Sequence, residues 1–404
     1  MDYFFSVFNK RLKNLPGGFM REPLPPEAWN NRLTGIRGAR GVGKTTLLLQ
    51  HAKKHFPLDH QTLYLSLDDI YFSSNRFSDL VDEFVKNGGK YLLLDEVHRY
   101  GGWGLELKNI YDNYQELEKI IFTGSSILEL SRAKADLSRR AIMFEMPGLS
   151  FREFLVMETE MVFSTGTLDQ LLENHVEIAR EVNEKIRPLF YFKRYLQYGY
   201  YPYYRENPDF YHQKVLQDIY LIIESDLSYT EGISIAHQEK MKKLLYVLAG
   251  SPPFTPNISK LATHIELARN TLMNSLHILN RARLLGLLYA DPGGVSLLQK
   301  PDKIFLYHPN LYFTLAREGF DQGALRETFF YNQLAGKHQL TNPAFADFLV
   351  DNKYYFEIGG KNKKVKHAGQ TSEMVKAKSF WVAKDNIEYG YKNQIPLWLL
   401  GFLY

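Results

Sequence analysis

The 404-residue chain contains no cysteine. Disulfides and thiolate metal sites are therefore excluded, which fits a reducing compartment such as the cytoplasm. No run of 18 apolar residues occurs, so no membrane-spanning helix and no membrane partner is expected. Excess charge is also scarce. The 49 Lys and Arg against 45 Asp and Glu give a net charge of +4. That permits a nucleic-acid partner without arguing for one. Met1 to Met20 is aromatic but broken by Lys10, Arg11, Lys13 and Pro16-Gly17-Gly18, so it does not read as a signal peptide. There is no internal repeat and no low-complexity segment. What the chain has in quantity is apolar mass: it is 45% hydrophobic, with 27 Tyr and 27 Phe. That is enough for more than one core, and two to four domains are expected.

The first third alternates apolar runs with helical patterns. Leu33 to Arg37, Thr62 to Leu67, Tyr91 to Leu94 and a run opening at Lys119 to Phe122 read as strands. A Gly-rich turn and a helix over Lys44 to His55 follow the first. This spacing predicts an α/β fold with a parallel sheet. The turn, Gly38-Ala39-Arg40-Gly41-Val42-Gly43-Lys44-Thr45, fits G-x-x-x-x-G-K-[ST] in full, with Thr46 after it. Glycines let backbone N–H groups turn inward around phosphate oxygens, and the helix that follows points its positive end at the same place. Lys44 is expected on the β- and γ-phosphates and Thr45 on Mg²⁺. The cofactors expected are ATP and Mg²⁺.

Tyr91-Leu92-Leu93-Leu94-Asp95-Glu96 is a buried strand ending in two carboxylates. Asp95 is the expected second Mg²⁺ ligand, and Glu96 the base for an attacking water. The pair indicates the P-loop class with a catalytic glutamate. A guanine-reading N-K-x-D is absent. Thr123-Gly124-Ser125-Ser126 closes the next strand. In a parallel sheet all strand C-termini open on one crevice, so Thr123 and Ser125 are candidates to position the water. The other role open to them is a polar strand-to-helix turn. His98 either pairs with Glu96 or caps a turn.

These segments, together with Leu149-Ser150-Phe151-Arg152-Glu153-Phe154, Tyr198-Gly199-Tyr200-Tyr201-Pro202, Pro256 to Ala262 and Arg326-Glu327-Thr328-Phe329-Phe330, resemble a group of bacterial and archaeal AAA-type ATPases. That group carries a C-terminal domain of unknown function with a restriction-endonuclease-like end. The resemblance covers most of the chain. It implies an AAA-type P-loop ATPase domain over 1–149, a helical connector over 150–238, a winged-helix unit over 239–300 and a restriction-endonuclease-like α/β domain over 301–404. It also makes Arg140 a candidate arginine finger, in cis or in trans. The family shows Leu-Ser-Gly-Arg there, where this chain has Leu137-Ser138-Arg139-Arg140. The alternative is a surface arginine bound to a nearby carboxylate.

Ser150 with Glu153 three residues on predicts a capping box and a new helix. Further along, Ile258, Leu261, Ala262 and Ile265 make one helical face and Leu272, Leu276 and Leu279 another, a helix-turn-helix spacing. The second helix is expected to expose Arg269, Asn270, Asn274, His277 and Arg281 toward DNA, or to serve as a packing module, with a wing at Tyr289 to Gly294. Candidate partners are thus ATP, DNA through the winged helix, a protein partner and a second copy of the chain.

Phe345 to Val350 and Tyr354 to Ile358 read as a hairpin around Asp351-Asn352-Lys353. A three-residue turn pairs Val350 with Tyr354 and sets Asp347 opposite Glu357. Glu327 on the preceding helix is a further candidate ligand. A nuclease of this type needs a Lys two residues after the Glu, and position 359 is Gly. Lys361 shares the strand face but lies about 7 Å further on. The expectation is a degenerate nuclease-like site of Glu327, Asp347, Glu357 and Lys361, with Lys363, Lys364 and Lys366 forming a basic loop.

Overall fold

The computed structural model describes residues 1–124, 137, 139–251, 256–290, 300–316, 319–363 and 380–404. The chain divides once, into Met1–Gly148 and Leu149–Tyr404. The three later segments expected from sequence therefore lie within one compact unit.

In the first unit, α1 (Asp2–Lys13) sets Phe4, Phe8 and Leu12 on one buried face, a four-residue spacing that aligns side chains along a helix. Phe8 stacks on Tyr64, with ring centroids 6.1 Å apart. Five strands follow: β1 (Leu33–Arg37), β2 (Thr62–Ser66), β3 (Tyr91–Asp95), β4 (Lys119–Gly124) and β5 (Ile142–Glu145). Their order is β2-β3-β4-β1-β5 and every pairing is parallel. The apolar runs of β1 to β4 are almost wholly buried, as strands covered on both faces require. Helices α2 (Lys44–His55), α3 (Phe77–Lys86) and α4 (Trp103–Asn113) supply the crossovers. β5 was not foreseen: Ile142 to Glu145 is a short edge strand with partly exposed residues and no long apolar run.

The second unit opens with a helical series: α5 (Phe151–Thr159), α6 (Leu168–Glu173), α7 (His175–Lys185), α8 (Pro188–Tyr198), α9 (Tyr211–Leu221), α10 (Leu227–Glu231) and α11 (Ile235–Ala249). The Ser150–Glu153 capping box forms in both directions at the head of α5. Next come α12 (Ile258–Ile265) and α13 (Arg269–Arg281), turned at Glu266 in the left-handed region, and the antiparallel pair β6 (Leu285–Leu288) and β7 (Lys303–Leu306). Residues 291–299, and with them positions 291–294 of the expected wing, lie outside the described residues. After α14 (Asn310–Leu315) and α15 (Gln322–Leu334) come β8 (Leu340–Thr341), β9 (Phe348–Val350), β10 (Tyr354–Gly359), β11 (Phe380–Lys384) and β12 (Gln394–Pro396). They form a mixed sheet in the order β12-β11-β10-β9-β8. Among the described residues no helix is long and apolar enough to cross a membrane.

Candidate functional site

The turn after β1 reaches its shape through glycine. Gly41 and Gly43 have φ of 80° and 97°, in the left-handed region, and Gly43 is the N-cap of α2. Gly38 is required for a different reason. A Cβ there would lie 2.3 Å from the carbonyl oxygen of Met146. The turn is also pinned by Arg21, which sequence reasoning missed. Its buried guanidinium donates to the carbonyls of Val42 at 2.9 Å, Pro147 at 3.0 Å and Gly148 at 2.9 Å. No motif marks Arg21; it lies in an irregular segment ahead of β1.

Lys44 is buried at the start of α2, with its Nζ donating to the carbonyls of Gly38 at 3.0 Å and Ala39 at 2.9 Å. The ammonium is therefore held inside the loop. Thr45, one residue on, donates its hydroxyl to Asp95 Oδ2 at 2.7 Å.

Strand order explains why Asp95 is within reach. β4 lies between β1 and β3, and Thr123 pairs with Ile36 on one side. On the other side Leu94 pairs with Phe122, which places Asp95 beside Thr123. The Thr123 hydroxyl donates to Asp95 Oδ1 in a short hydrogen bond. The Tyr64 hydroxyl, from the middle of β2, donates to Asp95 Oδ2 at 2.8 Å. A carboxylate that is 2% exposed thus accepts three hydroxyl hydrogen bonds. Buried carboxylates need such donors, because an unpaired one is costly. Burial, with the Asp95 charge beside it, raises the pKa of Tyr64, so it remains a donor. Tyr64 too was missed; it sits inside a strand that reads as plain core.

Glu96 leaves the strand in the left-handed region, with φ of 51°. A non-glycine residue held there costs of order 1–3 kcal/mol, a strain that collects at functional sites. Its N–H is 3.4 Å from the Thr123 hydroxyl, and its carboxylate is 3.5 Å from His98 Nδ1. His98 is buried, and its pKa falls to about 3, chiefly through burial and then through the charges of Arg99, Lys44 and Arg40. It is neutral near pH 7 and brings no charge to Glu96.

Thr123 joins this group, but Ser125 and Ser126 lie outside the described residues. Gly38, Arg40, Gly41, Val42, Gly43, Lys44, Thr45 and Thr46 form one continuous turn and first helical residues. Arg140 stands apart. β5 pairs Ile142 with Thr34 near the amino end of β1, so Arg140 lies at the sheet edge opposite the glycine turn. A five-residue strand makes that separation about 15 Å. There Arg140 Nε and Nη2 each lie 2.7 Å from the Asp112 carboxylate. A finger acting in cis does not fit this placement.

The site residues suit Mg²⁺ and a nucleotide. A hydroxyl and a carboxylate are hard oxygen donors already in contact, and the turn would lose its shape if a side chain stood at Gly38. Residues 30–155 match the family model described as the AAA domain. The matched segment holds the glycine turn, Asp95 and Glu96. It is similar to the uncharacterized protein MJ1637 of Methanocaldococcus jannaschii, 27% identical over 421 residues, 95% of this chain and 87% of that protein. Similar solved structures include AMPPCP-bound DnaA from Aquifex aeolicus, 19% identical, covering 68% of this chain and 86% of that one, with a TM-score of 0.24. PCH-2 of C. elegans is 19% identical, covers 43% of this chain and 47% of its own, and has a TM-score of 0.26.

In the second unit the observed register pairs Val350 with Tyr354, as a three-residue turn requires, and Asp347 N–H donates to Phe356 O at 3.0 Å. Asp347 lies just outside β9, and it and Glu357 both approach Lys363 Nζ, at 3.9 Å and 2.8 Å. Glu327 reaches the same place from α15, joined to Asp347 through Lys303 of β7. Lys361 does not join them: it is exposed, beyond the end of β10. Lys363, two positions on, is the lysine beside the acids, with its Nζ 2.8 Å from Glu357. The physical reason is the turn at Gly360, whose carbonyl accepts from Lys363 N–H at 2.9 Å and brings the chain back. Lys364 and Lys366 lie outside the described residues.

Proposed function

We propose that this chain is a Mg²⁺-dependent ATP hydrolase that couples turnover to conformational change. The observation that carries the reading is the 2.7 Å contact between Thr45 and Asp95 beside a turn held open by Gly38, Gly41 and Gly43. Mg²⁺ when bound offsets phosphate charge and fixes the phosphate geometry. Thr45 and Asp95 are its proposed ligands. Lys44 gives up its carbonyl partners for phosphate oxygens. Glu96 accepts the proton of the attacking water, and Thr123 holds the main chain beside it. Arg140 is assigned to the site of another copy, since it lies at the far edge of its own sheet. The test is nucleotide binding and phosphate release by wild type, Lys44→Ala and Glu96→Gln. Turnover at the wild-type rate in Glu96→Gln would remove Glu96 as the base.

A partner on nucleic acid is the first reading of what the ATPase acts on, and one observation favours a second. In the segment of α12, α13, β6 and β7, two of the five α13 residues expected toward DNA are engaged within the protein. Leu272, Met273, Ser275, Leu276, His277, Ile278 and Leu279 are buried, and Arg281 pairs with Glu231 at 3.7 Å. His277, expected outside, is buried against the unit. Arg269, Asn270 and Asn274 stay exposed. This suits a packing module and a nucleotide-dependent switch for a protein partner. ATP turnover with and without DNA at two salt concentrations separates the readings. Stimulation that falls steeply with salt supports nucleic acid, and no response supports the protein partner.

A further inference from the structure

The first unit holds a cavity that the phosphate turn does not use. Its volume is about 570 Å³, within the range of small-molecule sites. One wall is the face of α2 that carries Leu47 and His51, followed by Phe56 just past the helix end. The other wall is the irregular segment Met20 to Leu24, with Trp29 from the short turn Pro26–Trp29. Two hydrogen bonds hold that second wall. Gln50 Nε2 donates to the Phe19 carbonyl at 3.1 Å, and the Thr34 hydroxyl donates to the Ala28 carbonyl at 2.8 Å. His51 lies seven residues beyond Lys44, about 10 Å along the helix, so the cavity is set back from the phosphate turn.

His51 is the residue that points to a ligand. It lines the cavity and is 6% exposed, yet among the described residues neither of its ring nitrogens has a hydrogen-bond partner. A buried polar group left so is costly. Its ring is stacked on Trp29 with centroids 3.7 Å apart, and the rings of His55 and Phe56 stand 4.6 Å and 5.3 Å away. Its pKa falls to about 4, through burial first and then through the charges of His55, Lys54 and Lys119. Near pH 7 it is neutral and offers one donor and one acceptor. Lys54 and Glu22 at the rim carry opposite charges, so the cavity favours an uncharged ligand. A neutral imidazole among aromatic rings matches a flat ring with polar atoms on its edge, since such rings stack and hydrogen-bond at once.

We propose that this cavity is a second ligand site, for an uncharged planar heteroaromatic ring of nucleobase size, and that Arg21 passes its occupancy to the glycine turn. Arg21 lines the cavity, and its guanidinium donates to the carbonyl of Val42 inside the turn and to those of Pro147 and Gly148. Leu47 is shared as well: it lines the cavity, and its N–H donates to the Gly43 carbonyl at 2.9 Å. A ring that orders Met20 to Leu24 therefore fixes Arg21, and with it the Val42 carbonyl. The binding half of the proposal stands on the cavity alone. The coupling half rests on the nucleotide reading of the turn.

The experiment uses the full chain and four probes that carry neither phosphate nor ribose: adenine, hypoxanthine, cytosine and uracil. Binding is measured by calorimetry and by Trp fluorescence, with Trp29→Phe as the control that assigns the signal. At least one probe is expected to bind to wild type, and equally to Lys44→Ala. His51→Phe keeps the stacked ring and removes both nitrogens. It is expected to weaken probe binding by about 10-fold, while its ADP affinity without probe shows that it is folded. Lys54→Ala is expected to bind the probe as wild type does, because the ligand is uncharged. Saturating probe is expected to shift the ADP affinity by at least about 5-fold and then no further. The site is overturned if no probe binds at millimolar concentration, if His51→Phe binds as tightly as wild type, or if the ADP shift grows without limit as probe is added, which is competition for one site. An ADP affinity that ignores a bound probe overturns the role given to Arg21. If Lys44→Ala still binds ADP, the nucleotide reading of the turn fails, and probe binding in the same variant shows that the cavity does not fail with it.

Discussion

The two units solve one electrostatic problem in different ways. In the first, the buried carboxylate of Asp95 is surrounded by neutral hydroxyls of Thr45, Tyr64 and Thr123. In the second, Glu327, Asp347 and Glu357 are matched by the ammonium groups of Lys303 and Lys363. Hydroxyls stabilise the carboxylate and leave its charge in place for a cation. Ammonium groups cancel that charge, so a cation must compete with them. Only the first arrangement leaves the carboxylate charge without an ammonium partner.

The widest separation of the two sites comes from Lys44→Ala. The loop loses the buried ammonium proposed to meet phosphate, so turnover is expected to fall by at least about 10²–10³-fold, with nucleotide affinity lost too. Calorimetry with ATP and a phosphate-release assay check both halves, and wild-type turnover in Lys44→Ala would remove Lys44 from the proposed site.

Arg140→Ala comes next. An arginine serving another copy is worth about 10³–10⁵ in rate. The loss should therefore appear in concentrated protein and vanish on dilution, where the wild-type rate per subunit should itself fall. A rate per subunit that stays flat across a wide dilution range leaves Arg140 as the surface partner of Asp112 alone. Glu96→Gln follows, with about 10²–10⁴ lost in turnover and ATP affinity kept, since general bases contribute about that much.

The same contrast accounts for what could be read ahead of the structure. The candidate nucleotide site was legible because most of its parts are contiguous. Eight residues from Gly38 to Thr45 form the turn, and Asp95-Glu96 end an apolar strand. What escaped was what reaches in from elsewhere: Arg21 from an irregular segment, and Tyr64 from the interior of β2. In the second unit nothing is contiguous. The pairing of Val350 with Tyr354 followed from the turn length, because a hairpin's period of two leaves few choices. The lysine did not follow, because alternation along β10 points to Lys361 only if the strand continues. It ends at Gly359, and the turn at Gly360 brings Lys363 back instead. Lys303 lies 24 residues before its partner Glu327, with no motif to join them.

The smallest effect concerns acid, and it compares a histidine from each unit. His98 in the first unit is buried, with a pKa lowered to about 3. His308 in the second is fully buried, stacked on Tyr200 with centroids 3.8 Å apart, and its pKa is held well below the ordinary value by burial alone. In an unfolded chain both titrate near 6.5. Below that pH the unfolded state binds a proton that the folded state refuses, so stability is lost as pH falls from about 6.5 toward the folded value. Each histidine contributes a slope of up to about 1.4 kcal/mol per pH unit in that window. His98→Gln is expected to flatten the acid limb of the first unit and leave the second unit as it was. His308→Phe keeps the stacked ring and should flatten the second alone. Hydrogen exchange followed by unit between pH 7 and pH 5 reads both. Because Lys44, Arg40 and Arg99 add to the lowering at His98, high salt should raise its pKa and shorten its window from the acid end, while His308, which feels burial only, should keep its window. Equal salt sensitivity at the two positions would mean that the cations around the candidate nucleotide site do not act on His98.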